Sequence, residues 1–260
     1  MSSEINQQVP LALKLDSRAT FDSFWSAADG ELVASLQALS LPESEVIDTS
    51  AALASPASGW IYVTASRGGG VSHLLQATAA LATERQLSAM YLSLSEVLSA
   101  SDVGHRSTTA ESMAGYFDGL ENFDLLCIDD VECLVGQATW QEQLFYLIEK
   151  LKNKSNARLV LGSHCLAAEL DFDLADLKSR LKWATGFQLN VLSDEQKMQV
   201  LQFKAERLGL VMSDEVANFL MNRCSRNMSD LSALLARLDQ QALSSGRRLT
   251  IPWLKTVLDC

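Results

Sequence analysis

Residues 59–75, Gly-Trp-Ile-Tyr-Val-Thr-Ala-Ser-Arg-Gly-Gly-Gly-Val-Ser-His-Leu-Leu, carry the residue types that hold a phosphate, without the one that usually reaches its outer oxygens. Gly68, Gly69 and Gly70 free the backbone to adopt positive φ, so that N–H groups converge on an anion. Ser72 then opens an apolar helical pattern whose N-terminus adds partial positive charge. The common phosphate loop reads G-x-x-x-x-G-K-[ST], its Lys on the outer phosphates and its hydroxyl on magnesium. Gly70 and Ser72 fit, but Ala65 stands at the first glycine and Val71 at the lysine. The loop is expected to hold a nucleotide with its own chemistry weakened.

A second group, Leu125-Leu126-Cys127-Ile128-Asp129-Asp130, lies about sixty residues on. A hydrophobic strand ending in acids places Asp129 beside the loop, where it holds magnesium directly or through water. Glu132 nearby either orients a water or is a solvated acid. His105 and His164 have no partners at metal-ligand spacing in the sequence.

These groups need a scaffold. Apolar runs predict strands at 60–64, 88–94, 124–129, 157–162 and 186–190, and helical spacing predicts helices at 30–41, 72–86, 138–154 and 175–183. Such alternation argues for a parallel sheet with crossover helices and a ligand at the C-terminal strand ends. Trp140, Leu144, Leu147 and Leu151 form one stripe, read as core. Beyond residue 190 the strand signal ends. Ser193-Asp194-Glu195, Ser213-Asp214-Glu215 and Ser229-Asp230 read as helix starts, and Pro252 lies in the first turn of a last short helix. The expected organisation is a flexible arm at 1–16, an α/β nucleotide-binding domain at 17–190 and a helical domain at 191–260.

The chain has 260 residues, a 48% hydrophobic and 20% charged composition and a net charge of −11. That acidity argues against tight sequence-independent DNA binding, which relies on Lys and Arg at the phosphates. Five scattered cysteines without a CxxC pair argue against a disulfide framework or zinc site and for a reducing cytoplasm. No signal peptide or membrane-spanning run is read.

Taken together, the glycine loop with Ser72-His73-Leu74-Leu75, Ile128-Asp129-Asp130-Val131-Glu132 and Ser179-Arg180-Leu181-Lys182-Trp183 resemble the AAA+ module of the DnaA family. Thr20-Phe21-Asp22-Ser23-Phe24-Trp25 and Thr250-Ile251-Pro252-Trp253 are similar to its short Hda branch, whose members inactivate DnaA. The resemblance implies an α/β AAA+ P-loop fold: a five-stranded parallel sheet with helices on both faces, plus a small α-helical lid. It implies a nucleotide held by Arg67, Gly68, Gly69, Gly70, Val71, Ser72, His73, Asp129, Asp130 and Ser163, with Mg admitted at Ser72 and Asp129. His164 stands where relatives carry Asp, and Ser229 where they carry the lid arginine, with Arg226 nearby as a substitute. Loss of two cations from the outer phosphates favours ADP as the bound cofactor and negligible turnover of the chain's own nucleotide.

The resemblance also makes Arg180 an arginine finger acting in trans on a neighbour's nucleotide, and makes Gln8, Leu11 and Leu13 a sliding-clamp-binding peptide. The implied function is a regulator of replication initiation, not itself an enzyme. It binds the clamp and stimulates hydrolysis of DnaA-bound ATP, preventing over-initiation. Its partners are the polymerase sliding clamp and DnaA, with a homodimer or higher oligomer left open. The alternative is an autonomous AAA+ ATPase, helicase-loader-like or remodelling, against which Val71 and Ser229 argue. A DNA-binding initiator is a third; it carries a basic helix-turn-helix domain after the lid, and no basic extension is read here.

Overall fold

The structure, a computed structural model, describes residues 16, 18–25, 29–42, 59–103, 115–154, 156–242 and 248–258. The Gln8–Leu13 segment and His105 lie outside them. Five strands, β1 (Trp60–Thr64), β2 (Ala89–Ser93), β3 (Leu125–Asp129), β4 (Arg158–Ser163) and β5 (Thr185–Gln188), form one parallel sheet in the order β2-β3-β4-β1-β5. β1 and β3 are buried along their whole length, as strands covered on both faces must be. This explains why they read as continuous apolar runs rather than alternating ones.

The pleat sorts their side chains. Tyr62, Leu126, Ile128, Leu159 and Leu161 face one core, filled by Trp140, Leu144, Leu147 and Leu151 of α4 (Ala138–Lys152) and by Leu177 and Leu181 of α5 (Ala175–Leu181). Ile61, Val63, Cys127 and Val160 face the other, filled by α1 (Gly30–Leu39) and by Val71, Leu74 and Leu75 of α2 (Val71–Glu84). Each fully buried Leu contributes roughly 2 kcal/mol of apolar transfer.

Helix α3 (Leu94–Val103) follows β2 without a loop and was not read from the sequence. Its signal was there: Ser93-Leu94-Ser95-Glu96 is a capping pattern, and the Glu96 N–H donates to Ser93 Oγ at 3.3 Å.

The lid consists of α6 (Asp194–Arg207), α7 (Asp214–Arg223), α8 (Met228–Ala242) and α9 (Ile251–Val257) around a third core containing Leu201, Leu220, Leu235 and Leu254. Ser193 and Gln196 form a reciprocal capping box on α6, and Ser213 caps α7. The third start differs from the sequence reading. Ser229 lies within the first turn of α8, because Asn227 Oδ1 already accepts the Ser229 N–H at 2.8 Å and caps the helix. No helix among the described residues is long and apolar enough to cross a membrane.

Candidate functional site

The glycine loop lies where β1 ends and α2 begins. Gly68 and Gly70 adopt φ of +81° and +99°, the left-handed conformation for which glycine is suited, and Gly70 caps α2 without a side chain. The α2 N–H groups of Val71, Ser72 and His73 have no intrahelical acceptor by construction, so the helix start offers them to an anion. The Val71 side chain takes no part. It is 2% exposed and packs toward Gly162 of β4, in the core beneath the loop. At the lysine position, then, only backbone faces the phosphate site.

Asp129 ends β3 on the same face as α2. Its Oδ2 accepts the Tyr91 hydroxyl at 2.9 Å, its Oδ1 accepts the Asp130 N–H at 3.0 Å, and Ser72 hydrogen-bonds the same carboxylate. The loop hydroxyl and the strand-end acid are thus brought together. Burial raises the Asp129 pKa above the usual carboxylate value, opposed chiefly by the Ser72 bond.

A native pKa above the unfolded one means that the folded state holds its proton more readily. Stability from this group is greatest below the unfolded pKa of about 4 and declines as pH rises through the native value. Asp129→Asn is therefore expected to stabilise the ligand-free chain by on the order of 1 kcal/mol at pH 7 and to flatten its stability between pH 4 and 7. Urea unfolding across that range checks this.

The Asp130 carboxylate is bonded by the end of β2 and the start of α3. The residue sits at φ +59°, and its Oδ2 accepts the hydroxyls of Ser93 and Ser95 at 2.8 and 2.5 Å. The Ser163 side chain is directed elsewhere. It shares the pleat face of Leu159 and Leu161, opposite α2; the residue is buried and its hydroxyl donates to Glu132 Oε2 at 2.8 Å. Its backbone carbonyl accepts the Ala65 N–H at 3.3 Å, at the start of the loop. Arg67 is exposed at the loop's crest.

The lid rests on the loop. A Cβ on Gly68 would lie 2.4 Å from Asn227 Oδ1 and 3.2 Å from the Ser229 nitrogen. The lid turn carrying Ser229 is therefore in contact with the loop, and that residue brings no charge. Arg226, the sequence candidate for replacing it, instead pairs with Asp194 at 2.7 Å and is well exposed.

The segment Thr20–Trp25 wedges between loop and lid. Phe24 lies against Gly70, and Trp25 packs on the lid core. His73 Nε2 contacts the Thr20 carbonyl at 2.9 Å and Ser23 Oγ at 3.2 Å, so it pins this segment to α2 rather than facing the phosphate end. Desolvation holds its pKa below the usual histidine value, which keeps the imidazole neutral at pH 7. Beside it lies a cavity of about 490 Å³, lined by Arg18, Thr20, His73, Lys204, Arg207 and Ser232 among others. That volume suits a small-molecule moiety. Arg18, Lys204 and Arg207 were not singled out in the sequence, since the fold alone brings them together from distant segments.

Arg180 lies elsewhere, near the end of α5 on the sheet face opposite α2. Its guanidinium stacks on Trp183 at 4.0 Å, lies 6.0 Å from the Phe145 ring and forms an ion pair through Nε with Glu149 of α4. That nitrogen and the Glu149 oxygen are buried, and they are poorly aligned for a hydrogen bond. Lys152 covers Trp183 as well, at 4.6 Å. The side chain is 25% exposed.

His164, without partners at metal-ligand spacing in the sequence, has them in space. Its ring, Asp130 and Glu132 offer ligand atoms within 4.8 Å of one another.

Residues 15–192 match the bacterial DnaA ATPase domain, and residues 194–258 match the lid domain of Hda. Among solved structures, domain III of the Thermotoga maritima replication initiation protein DnaA is similar with a TM-score of 0.69 at 20% identity, covering 94% of this chain and 97% of that one. AMPPCP-bound DnaA from Aquifex aeolicus gives a TM-score of 0.64 at 21% identity, with 86% of this chain and 66% of that one covered. At these identities the structural likeness shows the fold.

Proposed function

The chain belongs to the bacterial DnaA family of AAA+ ATPase domains and matches the Hda lid, and from that premise we propose that it regulates replication initiation by stimulating hydrolysis of ATP bound to DnaA. The observation that supports this most is the division of labour between its two candidate sites. Its own glycine loop is backed by the buried Val71 and meets the lid at Asn227 and the uncharged Ser229, whereas Arg180 stands on the other face of the sheet. A loop with a buried valine at the lysine position suits a retained nucleotide, for which ADP is the reading, and an arginine so placed suits a neighbour's phosphates.

The backbone N–H groups at the start of α2 would hold the diphosphate. The cavity beside His73 would take the nucleoside end. Ser72 and Asp129 fit a hydrated magnesium ion, with the hydroxyl as ligand and the carboxylate acting through water, since both of its oxygens already accept hydrogen bonds. Such an ion supplies charge between the phosphates. Arg180 would exchange Glu149 for the transferred phosphoryl group of DnaA-bound ATP, with Trp183 as the platform that keeps its plane oriented. Gln8, Leu11 and Leu13 would tether the chain to the sliding clamp.

The test is single-turnover hydrolysis of ATP on DnaA with clamp loaded on DNA. The chain should accelerate it, and replacing Gln8, Leu11 and Leu13 by alanine should remove the acceleration at limiting concentration. No acceleration by the unaltered chain would overturn the function. Acceleration that ignores the clamp would overturn the tether.

A further inference from the structure

We propose that Asp130, Glu132 and His164 form a site for a divalent transition-metal ion of the zinc and cobalt type at the rim of the nucleotide loop. Their ligand atoms lie within 4.8 Å of one another. Around an ion with bonds of roughly 2.1 Å, tetrahedral ligands stand about 3.4 Å apart, so modest side-chain rotations would complete the set. The inference stands apart from the Arg180 reading and from the magnesium position at Ser72 and Asp129.

The histidine is prepared for this role. Its Nδ1 lies 3.2 Å from the Ala65 carbonyl oxygen. A carbonyl only accepts, so the contact places the proton on Nδ1 and the lone pair of the neutral ring on Nε2. Metal-binding imidazoles are typically oriented in this way, by donating the second ring nitrogen to a carbonyl or carboxylate. Glu132 is oriented likewise: its Oε2 accepts from Ser163 Oγ at 2.8 Å and from the His164 N–H at 3.2 Å. Asp130 is fixed through Oδ2 by Ser93 and Ser95. In each carboxylate the hydrogen bonds described fall on one oxygen, leaving the other to a ligand.

The three residues are half-buried, which leaves room for a water as fourth ligand. An imidazole with two carboxylates selects zinc or cobalt over magnesium, which prefers an all-oxygen octahedron. The thiols of Cys133 and Cys165 are adjacent in sequence but are not in the set.

Titration of the full chain with Co²⁺, followed by visible absorption, tests the site. One equivalent should bind with the bands of nitrogen and oxygen ligation, and millimolar Mg²⁺ should not displace it. His164→Gln should weaken binding by more than about 100-fold, beyond what loss of a merely supporting partner costs. Glu132→Gln, nearly isosteric, should weaken it as well, which keeps the test valid if one variant folds poorly; thermal unfolding without metal monitors both. Unchanged affinity in either folded variant, equal competition by Mg²⁺, or a thiolate-to-cobalt charge-transfer band abolished by Cys133→Ser would each overturn the proposal.

Discussion

Arg180→Ala is expected to reduce the stimulated hydrolysis of DnaA-bound ATP by on the order of 10³-fold or more, the range that an arginine finger contributes in other phosphoryl-transfer sites. The chain itself should stay folded. The substitution removes a partly exposed ion pair with Glu149 and the stack on Trp183, together about 1–2 kcal/mol. Arg180→Lys keeps the charge but loses the planar fork, so it should restore little of the rate. Lys152→Ala removes the other cation over Trp183 and, with Arg180 proposed as the group offered to the phosphate, should leave stimulation intact. Single-turnover kinetics on labelled DnaA-bound ATP, with thermal unfolding of each variant, separates these outcomes. Equal stimulation by Arg180→Ala would make Arg180 a packing residue between α4 and α5.

Gly162→Ala should have the largest effect on folding. Gly162 lies on β4 beneath α2, where an added Cβ would meet Asp129 Oδ1 at 2.5 Å, Val71 Cγ1 at 2.7 Å and Leu75 Cδ2 at 2.9 Å. All three neighbours are in the core, so none can swing aside into solvent. Overpacking of this kind should cost about 3 kcal/mol, and the displaced Asp129 would part from Ser72, weakening nucleotide binding as well. For a chain of this size the melting temperature should fall by roughly 10 °C. Gly186 in β5 is the natural control. A Cβ there meets nothing within 4 Å, and Gly186→Ala should be nearly neutral. A Gly162→Ala protein as stable as the parent would mean that α2 and the sheet are less tightly packed than described.

Much of this was legible in the sequence because parallel strands buried on both faces leave a plain signal. Trp60–Thr64 and Leu125–Asp129 are uninterrupted apolar runs that end where the chemistry begins. The lid starts at Ser193 and Ser213 were legible for a local reason: a serine oxygen capping nearby N–H groups depends on only a few residues. What was not legible depends on distance. Glu149, which holds Arg180, is thirty-one residues away from it, and only the packing of α4 on α5 makes them neighbours. Asp130, Glu132 and His164 meet because β3 and β4 are adjacent in the sheet, an order that strand positions alone do not give. Ser163 shows the opposite case. Strand period alone puts it on the face of Leu159 and Leu161, so its turn toward Glu132 follows from the sequence once α2 is assigned to the other face.

We propose that hydrolysis takes place on the partner's nucleotide and not on this chain's own. The direct measurement uses γ-labelled ATP placed first on DnaA alone and then on this chain alone, mixing each with the unlabelled other protein and DNA-loaded clamp. Rapid release of label from DnaA and negligible release from this chain is the predicted result. Comparable release from this chain, with or without DnaA, would contradict the account and favour an autonomous ATPase.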